Sequence, residues 1–257
     1  MARSASGRWA SAEAGQVQRV VGAGSDVEYS TRMSEVPVDV TWMEAFPGPS
    51  ALTKDESHKR WTAIAERARE PAVYEALIAW LGDDDDRRRF LALFVLIDNC
   101  KDWMHRDGKR LAPILLGLLF DNSIPVYDRA AWGLSIVGEA GLRALETGYE
   151  SHDWVGRRRV LWATLRHSLV LQSARWLTPT LVGLLGSAEL SKAQVAADAI
   201  KSLLQDNPGR SEFRGLREHL PRIRELAAEL RASGEESLSD DGARLESWLR
   251  AFDARDG

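Results

Sequence analysis

The sequence predicts an all-α fold, and three observations carry that reading. From Asp55 almost to the C-terminus apolar residues recur at helical spacing. No two-residue hairpin signal and no second run of strand-type alternation interrupts them. Helix punctuation recurs as well: in "PAVYEALIAWLG" Pro71 stands at a favourable first position and Gly82 at the stop.

Residues 1–32 are rich in Ala, Ser and Gly and show no sustained period, so they are expected to be disordered or loosely attached. The alternative is an N-terminal arm that docks on the body. Met33 is a second candidate start. Residues 33–54 form an irregular lead-in, where "VPVDVTW" alternates like a short extended piece and "FPGPS" breaks regular structure. A single helical domain then spans 55–257. Its helices are "DESHKRWTAIAERARE", "PAVYEALIAWLG", "DDDDRRRFLALFVLIDNC", "KRLAPILLGLLFD", "PVYDRAAWGLSIVG", "EAGLRALETGY", "DWVGRRRVLWATLRHSLVL", "ARWLTPTLVGLLG" and "SKAQVAADAIKSLLQ". A terminal helical cap over 211–252 follows.

Composition sets bounds. Of 257 residues, 44% are hydrophobic and 28% charged, as in an ordinary globular chain. A net charge of −4 gives no bulk electrostatic case for nucleic acid or an anionic membrane. The first residues hold no apolar run of the length a membrane span or signal peptide needs. Cys100, the single cysteine, permits no intrachain disulfide and suits a reducing compartment. A cytoplasmic location is therefore the expectation.

Internal repetition is the most informative feature. Three times an apolar helix end runs through a short acidic loop into a helix opening with arginine: "LIAWLGDDDDRRRFLALFVL", "LLGLLFDNSIPVYDRAAWGLSIVG" and "ALETGYESHDWVGRRRVLWATL". "LVGLLGSAELSKAQVAADAIKSLL" keeps the apolar frame without the arginine. Setting Arg89, Arg129 and Arg158 in register gives spacings of about 40 and 29 residues, inside the range of two-helix repeats. In its Asp-to-Arg-to-Ala frame, with Asp83, Arg89, Asp121, Arg129, Ala130 and Leu134, the chain resembles bacterial HEAT-like repeat proteins over about 55–205. The resemblance implies a right-handed α-solenoid of antiparallel helix pairs and leaves the ligand open.

Within "DWVGRRRVLWATLRH", a wheel at 100° per residue groups Trp154, Leu161, Trp162, Leu165 and Leu169, with Arg158 amid them and Arg157 and Arg159 on the flanks. Arg158 is thus expected to be buried against an acidic loop, through Glu150 or Asp121, and to matter more for stability than its neighbours. Asp83, Arg89, Asp121, Arg129 and Arg158 make up the expected structural ladder. Arg157, Arg159, Arg166, Trp103 and Trp154 are the candidate partner-binding residues. Trp61, Trp80, Trp132, Trp154, Trp162 and Trp176 are placed inside helices, where burial between layers is the usual use; Trp103 in a loop and Trp248 near the end are expected to be partly exposed.

No stretch is a reaction signature. The five histidines are scattered, there is no Cys-x-x-Cys or His-Glu-x-x-His, and no catalytic residue, cofactor or metal is expected. Asp83 to Asp86 read as a helix-capping run, through Asp85 or Asp86, rather than a cation loop. In "CKDWMHRD" Cys100 is expected in the core and His105 at the surface. The leading functional expectation is a non-enzymatic interaction or scaffold module, with an unidentified protein bound on a concave surface. The alternative is a HEAT-like DNA-binding protein or alkylpurine DNA glycosylase, since "WVGRRRVL" is similar to a Trp–Arg–Arg helix of those enzymes. That resemblance would carry over Trp154 and Arg157 or Arg158. The family's Trp-Trp-Asp-x-Val-Asp segment is missing, and "AADAIKSL" keeps only Ala199 and Ile200 of a later helix.

Overall fold

The computed structural model describes residues 54–166 and 170–256. The expected N-terminal segment and, apart from Lys54, the lead-in lie outside the described residues. Among the described residues every regular element is helical: α1 Lys54–Arg67, α2 Pro71–Trp80, α3 Asp86–Asn99, α4 Lys101–Arg106, α5 Gly108–Leu118, α6 Ile124–Ile136, α7 Glu139–Ser151, α8 Trp154–Arg166, α9 Val170–Leu185, α10 Leu190–Asp206, a 3₁₀ stretch Ser211–His219, α11 Leu220–Ala232 and α12 Glu236–Asp256. "CKDWMHRD" differs from the expected loop: Cys100 ends α3 and opens α4, which carries Trp103.

Consecutive helices pack as pairs: α2 on α3, α5 on α6, α7 on α8 and α9 on α10. The pairs also touch in two rows, one running α3, α6, α8, α10 and the other α5, α7, α9. The 3₁₀ stretch and α11 close against α10, and α11 pairs with α12. One apolar core runs from Ile64 to Ala163 and a second from Leu161 to Leu249, with Tyr149 and Trp176 packed against both.

The first row has a common register. Counting from the first residue of α3, α6, α8 and α10, the seventh, eighth, tenth and eleventh residues are buried in all four. They are Ala92, Leu93, Val95 and Leu96; Ala130, Ala131, Gly133 and Leu134; Val160, Leu161, Ala163 and Thr164; and Ala196, Ala197, Ala199 and Ile200. Many are small, which lets neighbouring helices approach closely. Where α7 meets α6 the approach is closest: a Cβ on Gly141 would overlap the Leu134 carbonyl. The turn between these two helices passes through Gly138 at φ 64°, a left-handed conformation suited to glycine.

The helix starts are pinned by loop residues. Asp85 Oδ1 accepts from the Arg87 amide at 2.9 Å, and Asp153 Oδ1 from Gly156 N at 2.9 Å. Two arginines at the fourth position then tie back to their own loops. Arg89 Nη1 donates to the Asp83 and Asp84 carbonyls at 2.7 and 2.9 Å, and Arg157 Nε donates to His152 O at 2.9 Å. Arg89 also forks onto the Asp121 carboxylate, Nε to Oδ2 at 2.8 Å and Nη2 to Oδ1 at 3.1 Å. From the other side Arg159 Nη1 donates to the Leu119 and Asp121 carbonyls at 3.3 and 3.2 Å.

Arg158 is corrected by this register. It is exposed, at the fifth position, and takes no part in the ladder. The wheel had weighted Trp154 and Trp162 as core, whereas α8 buries Gly156, Val160, Ala163 and Thr164 and turns Trp162 outward. Arg129 is likewise not at an acidic loop; it occupies the sixth position, as Arg159 does, and lies over the Phe94 ring at 4.2 Å. The tryptophans redistribute too: Trp248 is buried, Trp103 half-buried, and Trp132 and Trp162 are exposed. Cys100 is buried with its thiol donating to Ala68 O at 3.3 Å, and His105 is exposed.

The side chains of Arg89 and Asp121 are only 16% and 8% exposed, so removing either partner strands a charge. In urea unfolding, Asp121→Ala is expected to cost about 3 kcal/mol, and Arg158→Ala less than about 0.5 kcal/mol. A larger loss at Arg158 would restore the wheel's orientation.

Candidate interaction surface

The register that buries four positions fixes what points away. The ninth position lies opposite the buried arc, and it holds Phe94, Trp132, Trp162 and Asp198 in the four helices. Beside it run the fifth position, with Phe90, Asp128, Arg158 and Gln194, and the sixth, with Leu91, Arg129, Arg159 and Val195. Among the described residues the exposed large hydrophobic side chains are Ile124, Trp132, Val155 and Trp162, at 76, 36, 59 and 47%. All four are on α6 and α8.

At one end the surface is self-paired. The Arg129 guanidinium sits 4.2 Å from the Phe94 ring centroid and 5.0 Å from that of Trp132, and Lys101 Nζ is 5.9 Å from the same indole. Trp61 meets Phe94 edge-on at 4.7 Å. Such cation–π contacts contribute roughly 0.5–2 kcal/mol each, depending on desolvation. The aromatic side chains here are held in place by the cations between them.

Further along, α6, α8 and α10 leave a cleft of about 460 Å³. Ile124 and Tyr127 line it from α6, Arg158, Arg159 and Trp162 from α8, and Gln194, Val195 and Asp198 from α10. Asp121 also lines it, but its carboxylate is spoken for by Arg89 and by the Ser123 amide at 2.8 Å. Burial alone would raise the Asp121 carboxyl; the Arg89 and Ser123 hydrogen bonds and the charges of Arg89 and Arg159 bring it below the usual range. Asp198 is the opposite case. Burial holds its carboxyl above the usual range, only partly offset by Lys201, Arg244 and the Gln194 Nε2 donor at 2.7 Å.

The residues singled out from sequence do not converge. Among the described candidate partner-binding residues, Arg159 alone lines the cleft; Asp121 and Arg158, expected as structural groups, line it too. Arg157 is bound to the carbonyls of His152 and of Glu150 at the end of α7, and lies over Tyr149 at 5.4 Å. Trp154 opens α8 with Lys192 Nζ 5.7 Å from its ring. Trp103 packs edge-on against Tyr74 at 5.1 Å, beside a separate hollow that it shares with Tyr74, Arg106 and Asp107. The Arg166 side chain lies outside the described residues. Sequence reasoning missed Arg158, Trp162, Trp132, Ile124, Tyr127 and Asp198 as surface groups. For Trp132, Trp162 and Asp198 a signal was present, a shared ninth position from the helix start; Arg158, Ile124 and Tyr127 stand at other positions.

Among the described residues no His, Cys, Asp and Glu group could hold a metal ion, and no helix is long and apolar enough to cross a membrane. No family model and no curated protein matches the sequence. Among solved structures the chain is similar to the crystal structure of an engineered protein, a Northeast Structural Genomics Consortium target. The two are 15% identical, over 79% of this chain and 93% of that one, with a TM-score of 0.36. A likeness that loose assigns nothing further.

The inverted position of Asp198 gives a pH test. A carboxyl raised in the folded state holds its proton to higher pH than in the unfolded chain. Any penalty from its charge is therefore absent below the ordinary carboxylate range, about pH 3.9, and grows as pH rises through the folded value. Asp198→Asn, which keeps an acceptor for Gln194, is expected to raise Tm at pH 7, with the gain disappearing by about pH 3.5. A gain independent of pH would place the effect in packing instead.

Proposed function

We propose that this chain is a non-enzymatic interaction module, a HEAT-like stack of helix pairs whose partner protein docks on the α3–α6–α8–α10 face. The observation that carries it is the placement of Trp132 and Trp162. Both occupy the ninth position of adjacent helices, both are exposed, and arginines flank both. Large apolar side chains are ordinarily buried where helices stack, and a cluster left out on one face marks a place another surface covers. Tryptophan and arginine are also the residue types that dominate binding energy in protein interfaces.

The repeat reading is supported by the common burial register of four helices and by the recurrent loop-to-helix junctions. Stacks of this kind need only neighbour contacts for stability, so their outward positions can serve recognition. Of the residues that suggested the glycosylase-like alternative, Trp154 and Arg157 are half-buried, engaged within the protein and absent from the cleft, while Arg158 lines it.

Affinity capture from the native host tests the proposal. The wild-type chain and an Arg224→Ala control, altered at a surface ion pair with Asp253, are expected to retain the same specific protein. Trp132→Ala/Trp162→Ala, checked for folding by circular dichroism, should lose it by a factor of about 30 or more, the effect of removing one interface hot spot. Equal capture by all three chains would move the docking face elsewhere.

A further inference from the structure

The cleft between α6, α8 and α10 has more chemical character than the rest of the face, and its charge is unevenly satisfied. Arg158 makes no ion pair or hydrogen bond among the described residues. Arg159 is anchored through one terminal nitrogen to two backbone carbonyls, which fixes its positive charge at the cleft without neutralising it. Asp121 is balanced by Arg89, and Asp198 is turned to Gln194. Gln194 carries no charge to cancel Asp198, so with Asp121 paired to Arg89 the cleft sets two arginines, Arg158 and Arg159, against one carboxylate, Asp198, and the surplus is positive. One helical turn beyond Arg158, on the same face of α8, stands the half-exposed indole of Trp162, with Ile124 across on α6.

We propose that this cleft seats a carboxylate of the partner polypeptide on Arg158, with an adjacent apolar or aromatic side chain of the same segment laid between Trp162 and Ile124. The inference rests on the docking reading above and names the chemistry of the docked segment. A guanidinium accepts a carboxylate as a two-point fork, and the indole one turn away fixes which neighbour it tolerates. A volume of about 460 Å³ suits one or two side chains.

A nucleic-acid strand fits the same face less well. It would present a series of phosphates and needs a track of cations to follow them. Along this face Arg129 is already over Phe94 and Trp132, and Asp98, Asp128 and Asp198 lie at or near the outward positions. With a net charge of −4 the chain has no surrounding field to make up the difference. One carboxylate needs only one free fork.

Selection of random peptides by phage display on the full wild-type chain, followed by fluorescence anisotropy, tests this. Enriched peptides are expected to share an Asp or Glu beside an aromatic or branched aliphatic residue. Changing that acid to its amide should weaken binding at least tenfold, as should Arg158→Ala; Arg224→Ala should not. Enrichment of peptides without acids, affinity indifferent to Arg158, or no enrichment would overturn the assignment. Displacement of a bound peptide by octathymidylate would give the cleft to nucleic acid instead. If Trp132→Ala/Trp162→Ala loses the host partner while Arg158→Ala leaves peptide affinity intact, the docking face stands and the carboxylate anchor falls.

Discussion

Asp121 is the residue on which the stacking of the first helix row depends. Its carboxylate takes the fork of Arg89, from the start of α3, and its carbonyl takes Arg159, from α8. The same carboxylate receives the Ser123 amide just before α6 begins. One loop residue thus joins three consecutive members of the row. A buried pair of this kind is a weak source of net stability, since desolvation consumes most of the attraction. Its value lies in register: a slipped α6 or α8 would leave a charged group or carbonyl short of its partner.

That register is also what the cores require. Small residues at the seventh and tenth positions, such as Ala92, Ala130, Ala163 and Ala196, let the helices come close, and Gly141 admits α7 against the α6 backbone. Close packing of small side chains leaves no room for an indole in the seam. Trp132 and Trp162 are therefore displaced to the opposite side of their helices. The exposed aromatic face and the tight seam are two consequences of one arrangement.

The all-α content was legible in the sequence, because Pro71, Gly82 and the long helical periods of α3 and α10 are local signals. The paired arrangement was partly legible, through the acidic loops that precede arginine-bearing helices. The orientation of α8 was not. A wheel ranks residues by hydrophobicity and so pulls toward Trp154 and Trp162; it carries no information about how close the next helix comes. Aligning Arg89 with Arg129 and Arg158 compounded the error, because the arginines play different parts. Arg89 and Arg157 hold their own loops, Arg129 and Arg159 reach back toward the preceding helix pair, and Arg158 does neither. Burial in a shared frame separates these roles where residue identity does not.

The contacts between helices concentrate at the fourth, sixth, seventh, eighth, tenth and eleventh positions, while the fifth and ninth carry contacts such as Gln194 with Asp198 and Phe90 with Phe94, each within one helix. The occupants of these two positions differ: Phe90, Asp128, Arg158 and Gln194 at the fifth, Phe94, Trp132, Trp162 and Asp198 at the ninth. A fold built this way can change what it recognises without changing how it stands. The cation–π contacts at Phe94 and Trp132 are the exception, since Arg129 both contributes to packing and holds the aromatic surface in place. Toward α10, among the described residues, no such cation covers the indole of Trp162, and Arg158 stands beside it without an ion pair. The end of the face with the fewest internal commitments is thus the end with the most left to offer a partner.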